Sequence, residues 1–246
     1  MTLRPDTIRR IEKRVTELIE DFDGCSDAFE QANLFTGPSA YFHSKTLALL
    51  RQHKSAGDAL LDRAFLESLY ATLTAWGMHR MGPGGAKLVE FHVLADSFQR
   101  LEQPIRKLSD LMLADLRMEE VKSVTEQVWA VISGLNIGCG LTKIVAGSKA
   151  LHHVLPELVP PIDREYTLRF FFNHKTLNQG DAAAFGEIYP RMHRIAAECS
   201  GKIQGRIGRG MNTSATKVID NAIVGFVRAK LRAVSDASGA ERETGK

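Results

Sequence analysis

Apolar residues recur every three or four positions along most of the chain, and this spacing constrains the fold more than any other feature. The first such segment, Asp6 to Phe22, carries basic side chains on its other face, and the pattern returns in Met118–Ser133 and in Ala215–Ala233. A period between three and four residues is typical of amphipathic helices. Because no alternating run of β-branched residues indicates a strand, the sequence predicts an all-α, multi-helix fold of roughly nine to eleven helices.

The domain organisation follows from where these helical patterns stop. They continue to about residue 232, and residues 1–232 are therefore expected to form a single all-α domain. A division into two lobes, residues 1–130 and 131–232, is the alternative. Residues 233–246 are polar and poor in apolar side chains, and we expect them to be a disordered tail.

The composition excludes several classes of protein. Hydrophobic residues make up 44% and charged residues 25% of the 246 residues, as in ordinary globular proteins. The net charge of +3 permits contact with nucleic acid without requiring it. The three cysteines, Cys25, Cys139 and Cys199, are far apart, so neither a zinc finger nor a four-cysteine iron–sulfur cluster is predicted. We predict no metal site and no cofactor.

One segment, Val128 to Gly147, has the apolar length of a membrane span. It contains only one charged residue, Lys143, but it also contains four glycines. These glycines favour a buried segment that is broken by a turn. No signal peptide precedes it, and the sequence therefore predicts a cytoplasmic protein without membrane contact.

A glycine turn, Gly138-Cys139-Gly140, separates two of the predicted helices. Glycine accepts positive φ, which allows a tight reversal of the chain. The backbone N–H groups at the start of the following helix would then be able to hold a phosphate, with Thr142 and Lys143 in its first turn and Lys143 adding a positive charge. The alternative is a helix–helix corner in which the glycines serve close packing.

An aspartate follows a stiff segment shortly after this turn. Pro160 and Pro161 hold the chain extended before Asp163. A carboxylate on a rigid support beside a glycine turn is one way to preorganise a site. The alternative is that Asp163 only caps the helix that follows.

The run from Ile137-Gly138-Cys139-Gly140 to Pro160-Pro161-Ile162-Asp163 resembles the helix-hairpin-helix DNA glycosylase superfamily. The resemblance covers about 40 residues and implies an all-α fold with a helix-hairpin-helix-like central unit. The same run of residues is also similar to uncharacterised bacterial proteins, for which no activity can be stated.

The resemblance implies DNA base excision. The hairpin amides and Lys143 would hold the phosphate backbone, the target nucleotide would be turned out of the stack, and Asp163 would stabilise the positive charge on the sugar or direct a water to it. Lysine nucleophiles occur near the hairpin in bifunctional relatives, so Lys143 and Lys149 are both candidates. The implied partner is nucleic acid, DNA in the first instance.

Residues 201–210 form a basic, glycine-rich segment, and we expect it to offer a second surface for a phosphate backbone. The predicted nucleic-acid-binding residues, including those of the hairpin, are Gly138, Gly140, Thr142, Lys149, Arg164, Lys202, Arg206 and Arg209. The alternative for the basic segment is a solvated loop. The competing function for the whole chain is that of a non-enzymatic helical binding protein.

Two further predictions concern packing. Of the adjacent histidines, we expect one of His152 and His153 to be packed and the other exposed, since neighbours on a helix point in different directions. We expect Phe170, Phe171 and Phe172 to lie in the core, with base stacking as the less favoured alternative.

Overall fold

The computed structural model describes residues 3–78, 88–140, 142–177 and 179–232. Within these ranges the all-α prediction is confirmed, with thirteen α-helices instead of the nine to eleven expected and no strand beyond an isolated bridge. The helices are α1 (Pro5–Glu20), α2 (Phe22–Ala32), α3 (Pro38–Leu50), α4 (Ala56–Ala59), α5 (Arg63–Leu73), α6 (Phe91–Arg100), α7 (Glu102–Leu108), α8 (Met118–Gly134), α9 (Ile144–His152), α10 (Thr167–Phe172), α11 (Asp181–Glu198), α12 (Ser200–Gln204) and α13 (Ala215–Phe226). The predicted tail, 233–246, lies outside the described residues.

One connected hydrophobic core runs from Ile11 in α1 to Val227 just after α13. Helix α13 lies within it, and all twelve of its residues are buried. It contacts α1, α2, α10, α11 and α12. A helix that is buried on every side must satisfy its own polar residues, and the polar residues of α13 accordingly form the floor of the site described below.

The first helix ends earlier than predicted. The helical pattern continues to Phe22, but α1 stops at Glu20 and a second helix, α2, begins at Phe22 and includes Asp23 and Gly24. Phe22, Cys25 and Phe29 give α2 a buried apolar face. Packing of this face against α13 overrides the weak helix propensity of glycine.

Residues 128–147, which have the apolar length of a membrane span, belong to two separate helices. Helix α8 ends at Gly134 and α9 begins at Ile144, so the predicted break is confirmed. The two helices approach closely at Gly147, where a Cβ would lie 2.8 Å from Cγ2 of Ile132. Across the described ranges, every helix is too short or too polar to cross a membrane.

The connection between α8 and α9 differs from the predicted glycine turn. Gly138 forms an antiparallel bridge with Leu88, and the Val89 N–H donates to the Ile137 carbonyl at 3.1 Å. Gly140 is exposed, has no positive φ, and would have open space around a Cβ. The prediction that position 140 requires glycine for a positive φ is therefore wrong.

Candidate functional site

Asp163 lies on the wall of an open cavity of about 270 Å³. Six separate parts of the chain meet there: the end of the α2–α3 connection, the start of α3, the turn after α5, α9, the proline segment, and α13. The lining residues are Phe35, Ser39, Ala75, Trp76, Gly77, Lys149, Pro161, Asp163, Lys217 and Asp220. Of the predicted site residues, this cavity brings together Asp163 and Lys149.

Hydrogen bonds to α9 and α10 hold the segment that carries Asp163. The Ile162 N–H donates to Ser148 Oγ at 3.0 Å, and the Asp163 N–H donates to Thr167 Oγ1 at 3.2 Å. Asp163 Oδ1 accepts the Tyr166 N–H at 2.6 Å, so the carboxylate also caps the turn that leads into α10. Its Oδ2 accepts no hydrogen bond from the described residues. The side chain is partly exposed, and one oxygen therefore remains available to the cavity.

The floor of the cavity is a buried ion pair on α13. Lys217 Nζ donates to Asp220 Oδ2 at 2.6 Å and to Asn221 Oδ1 at 2.7 Å. Burial raises the pKa of the Asp220 carboxyl, the positive charge of Lys217 opposes this shift, and the negative charge of Asp163 adds to it. Asp163 and Asp220 therefore interact electrostatically across the cavity.

Aromatic rings form the side of the cavity. Trp76 lies in the π-type turn Thr74–Met78, where Gly77 has φ of 76°, a conformation that favours glycine. The Trp76 Nε1–H donates to the Ser39 carbonyl at 3.2 Å, which fixes the ring. Lys217 Nζ lies 5.7 Å from the centroid of Trp76 and 5.1 Å from that of Phe35, within the range of cation–π attraction.

Two buried histidines, His43 and His153, contact the Trp76 ring, and a third, His152, packs against both of them. The His43 ring stacks on Trp76 with centroids 5.3 Å apart, and His153 meets it edge-on at 4.8 Å. His153 Nδ1 lies 2.8 Å from the Lys149 carbonyl and must donate to it, so in the neutral ring Nε2 accepts from His43 Nδ1 at 2.9 Å. His43 Nε2 then accepts the hydroxyl proton of Thr213 at 2.8 Å.

Burial keeps this histidine cluster uncharged. Desolvation lowers the pKa of His43 and that of His152, and it lowers the pKa of His153 to about 4. The expectation that one of His152 and His153 is exposed was wrong, because both have zero exposure. The two rings point in different directions, but both are buried. The His153 ring contacts His43, and the His152 ring contacts the Val159 carbonyl. In the described part of the chain, no group of three or more His, Cys, Asp and Glu has the arrangement of a metal site.

The start of α9, the predicted phosphate site, already holds a carboxylate. Asp181 Oδ2 accepts the N–H groups of Lys143 and Ile144, the latter at 3.1 Å. The Lys143 side chain donates to the Leu135 carbonyl at 3.2 Å. Lys143 occupies the N-cap position of α9, so Lys143 and Thr142 precede the helix in which they were expected.

The other predicted nucleic-acid-binding residues are dispersed. Gly138 and Thr142 are partly buried and Gly140 is exposed beside the start of α9. Like Lys143, these three are absent from the cavity lining. Arg164 is exposed next to Asp163.

The basic segment divides into buried and exposed cations. Arg206 is only 8% exposed and forms ion pairs with Asp23 and Asp27 at 2.9 and 2.8 Å and with Glu30 at 3.2 Å. Lys202 Nζ lies 3.8 Å from Asp23. Arg209 is exposed and borders a different recess, together with Phe35. Arg206 thus joins α12 to α2, whereas Arg209 faces solvent.

Asp220 was not among the predicted site residues, and neither Trp76 nor Lys217 was predicted to lie beside Asp163. A signal was present: Lys217, Asp220 and Asn221 stand at relative positions i, i+3 and i+4 of an otherwise apolar helix. This spacing puts three polar groups on one face, and polar residues on a helix that is apolar elsewhere indicate a buried network. Trp76 carried no local signal, because its partners come from distant segments.

Comparison with protein-family models, with curated proteins and with solved structures yields no match for this chain. The site must therefore be interpreted from its own geometry.

Proposed function

We propose that the protein binds nucleic acid and releases a base by hydrolysing its N-glycosidic bond, with Asp163 at the reaction centre. One observation carries this proposal: the Asp163 carboxylate lies on the wall of a cavity that also presents an indole ring and two lysines. A base turned out of a strand needs a flat surface to stack on, and its phosphates need positive charge. Trp76 and Phe35 would supply the first, and Lys149 would supply the second, since Lys217 is buried and paired with Asp220.

The chemistry assigned to Asp163 is electrostatic. When the bond between C1′ and the base nitrogen breaks, its electron pair leaves with the base and positive charge develops on the sugar. A water molecule then adds to C1′ and loses a proton. The Asp163 Oδ2, which the cap hydrogen bond leaves unused, would stabilise the positive charge and accept this proton, as carboxylates do in glycoside cleavage. The departing base, which carries the electron pair, takes up a proton from solvent and leaves as the neutral base.

The distance between the cavity and the α8–α9 connection suits a strand that passes both. Lys149 lines the cavity, and Lys143 stands six residues earlier at the start of the same helix. At 1.5 Å per residue, the two positions are about 9 Å apart along the axis. A strand whose base occupied the cavity would therefore place a neighbouring phosphate near Gly138, Gly140 and Thr142.

Base release from DNA oligonucleotides tests the proposal. The panel contains uracil, hypoxanthine, an alkylated purine and mismatched bases, and strand cleavage by alkali after incubation reports abasic sites. We expect the wild type to release at least one of these bases and Asp163→Asn to be slower by about 10²- to 10⁴-fold with unchanged DNA binding. Asp115→Asn, which alters an exposed aspartate outside the cavity lining, is the matched control and should behave as wild type. Absence of release from the whole panel, or equal rates for wild type and Asp163→Asn, would contradict the proposal.

A second candidate is a non-enzymatic binding protein, favoured by one observation. Asp163 Oδ1 caps the turn before α10, a structural role that needs no substrate. In that case Asp163→Asn would lower the Tm without affecting any reaction. The oligonucleotide assay together with a melting curve of the same variant separates the two functions.

A further inference from the structure

A second recess, which we call the α2–α3 recess, adjoins the cavity that contains Asp163. Its volume is about 250 Å³, and its lining includes Phe29, Leu34, Phe35, Arg209 and Met211. Phe35 lines the cavity as well. Its ring centroid lies 5.1 Å from Lys217 Nζ, which belongs to the cavity, and 6.0 Å from the ring centroid of Phe29, which belongs to the recess. The half-buried Phe35 ring is therefore a partition one side chain thick between the two.

Arg209 is the exposed cation of the α2–α3 recess. Glycines with positive φ flank it, Gly208 at 90° and Gly210 at 53°. The Gly208 N–H donates to the Asn212 carbonyl at 2.7 Å, and the Asn212 N–H donates to the Arg209 carbonyl at 2.9 Å, which closes the turn. The Arg209 side chain forms no ion pair with any residue that the structure describes. Its guanidinium is therefore available to an anion from outside the chain.

Hydrogen bonds join the wall of the recess to the floor of the cavity. Asn221 Nδ2 donates to Asn212 Oδ1 at 2.8 Å and to the Met211 carbonyl at 3.2 Å. Asn221 Oδ1 accepts the Lys217 ammonium at 2.7 Å. Because one buried side chain holds both Met211 and Lys217, the recess and the cavity keep a fixed relative position, as a site for one continuous ligand requires.

The chemistry of the recess suits an unpaired nucleotide. Its apolar walls and the Phe35 ring offer a surface on which a base can stack, whatever its identity. The guanidinium of Arg209 matches the geometry of a phosphate. The carboxylate at the same recess, Glu30, is already engaged, since its Oε1 accepts Arg206 at 3.2 Å and the Asn212 amide at 2.9 Å. Its negative charge is thereby compensated within the protein.

We infer that the α2–α3 recess binds the nucleotide next to the one whose base enters the cavity, and that Arg209 holds the phosphate that joins them. The inference rests on the proposed function for the class of its ligand. The strand crosses the edge of Phe35, with one base on each side of that ring. Both bases are then unpaired, so the ligand is single-stranded over at least these two nucleotides.

Nucleosides and dinucleotides test the inference without any catalysis. Thymidine is compared with d(TpT), and deoxyadenosine with d(ApA), because each dinucleotide adds one base and the bridging phosphate. The NMR signal of the Met211 methyl group, assigned through Met211→Leu, reports the recess. The Trp76 indole N–H, distinguished from the other tryptophan by Trp129→Phe, reports the cavity. We expect at least one dinucleotide to shift both signals and to bind roughly 5- to 100-fold more tightly than its nucleoside.

The variant Arg209→Gln supplies the second measurement. It removes the cation of the recess, so the advantage of the dinucleotide over the nucleoside should fall at least fivefold. Arg100→Gln is the matched control, since Arg100 is exposed and borders neither the cavity nor the recess. A Met211 signal that neither dinucleotide shifts, equal affinities of nucleoside and dinucleotide in both series, or an undiminished advantage in Arg209→Gln would overturn the inference.

The two proposals fail separately. Base release that depends on Asp163, together with a Met211 signal that no dinucleotide moves, would remove only the recess. Dinucleotide binding that depends on Arg209, without base release from any oligonucleotide, would remove the glycosylase and leave a surface for single strands.

Discussion

Gly225 in α13 lies so close to Cys25 in α2 that a Cβ at position 225 would be 1.8 Å from the Cys25 carbonyl oxygen. The contacting atom belongs to the backbone, so no side-chain rotation can relieve the clash. We therefore expect Gly225→Ala to lower the free energy of unfolding by about 3 kcal/mol, the upper end of the usual range for overpacking. Urea denaturation measures the change.

Gly186 in α11 is the matched control for this substitution. It also lies within a helix, but a Cβ there would meet no atom within 4 Å. Since alanine has the higher helix propensity, Gly186→Ala should raise the free energy of unfolding by about 0.5–1 kcal/mol. Similar effects of the two substitutions would show that the α2–α13 contact does not limit stability.

The histidine cluster predicts a loss of stability in mild acid. Burial lowers the pKa of His153 in the folded protein to about 4, below its ordinary value of 6.5. Below pH 6.5 the unfolded chain therefore binds a proton that the folded protein does not, and stability falls until the pH reaches the folded pKa. We expect His153 alone to reduce the free energy of unfolding by roughly 2 kcal/mol between pH 7 and pH 5.

Denaturation curves of variants at both pH values isolate this contribution. His153→Gln carries no titrating group, so its stability should depend less on pH than that of the wild type, even if it is lower at pH 7. His92→Gln, which changes an exposed histidine, is the matched control. An unchanged slope in His153→Gln would contradict the assignment.

The Lys217–Asp220 pair predicts a strong dependence of one residue on the other. Lys217→Met leaves the buried Asp220 without its cation, and removal of one member of a buried pair costs about 3–5 kcal/mol. The double variant Lys217→Met with Asp220→Leu removes both charges and should recover a large part of this loss. Melting curves of the two single variants and the double variant form the cycle, and additive losses would mean that the two side chains do not interact.

Arg206 and Arg209 should respond differently to truncation. Arg206 is buried among three carboxylates of α2, so Arg206→Ala should lower the free energy of unfolding by about 2 kcal/mol. Exposed Arg209→Ala should leave the Tm unchanged. If the protein binds DNA through this face, Arg209→Ala should reduce the slope of log K against log salt by about 1, because one phosphate contact releases about one counterion.

The helical class and much of the core could be predicted because they depend on local spacing. Phe170, Phe171 and Phe172 are buried as expected, and the break between α8 and α9 falls where the glycines indicate. The prediction of an extended segment before Asp163 was also a local one, because proline fixes its own φ.

The cavity could not be predicted from local patterns, because its parts are distant in the chain. His153 is buried by His43, which lies 110 positions earlier, and Trp76 is fixed by Ser39 across 37 positions. The amides of Lys143 and Ile144 at the start of α9, predicted as a phosphate site, donate instead to Asp181, which lies 38 and 37 positions later in the chain. Only the tertiary fold joins these pairs.

The carboxylate of Asp181 occupies the position at the start of α9 that an external anion would take, because it accepts the two free amide N–H groups there. Because it belongs to the same chain, it competes with an external anion at an effective concentration in the millimolar range or above. A phosphate that reaches these amides must therefore displace the first turn of α11 from its partner.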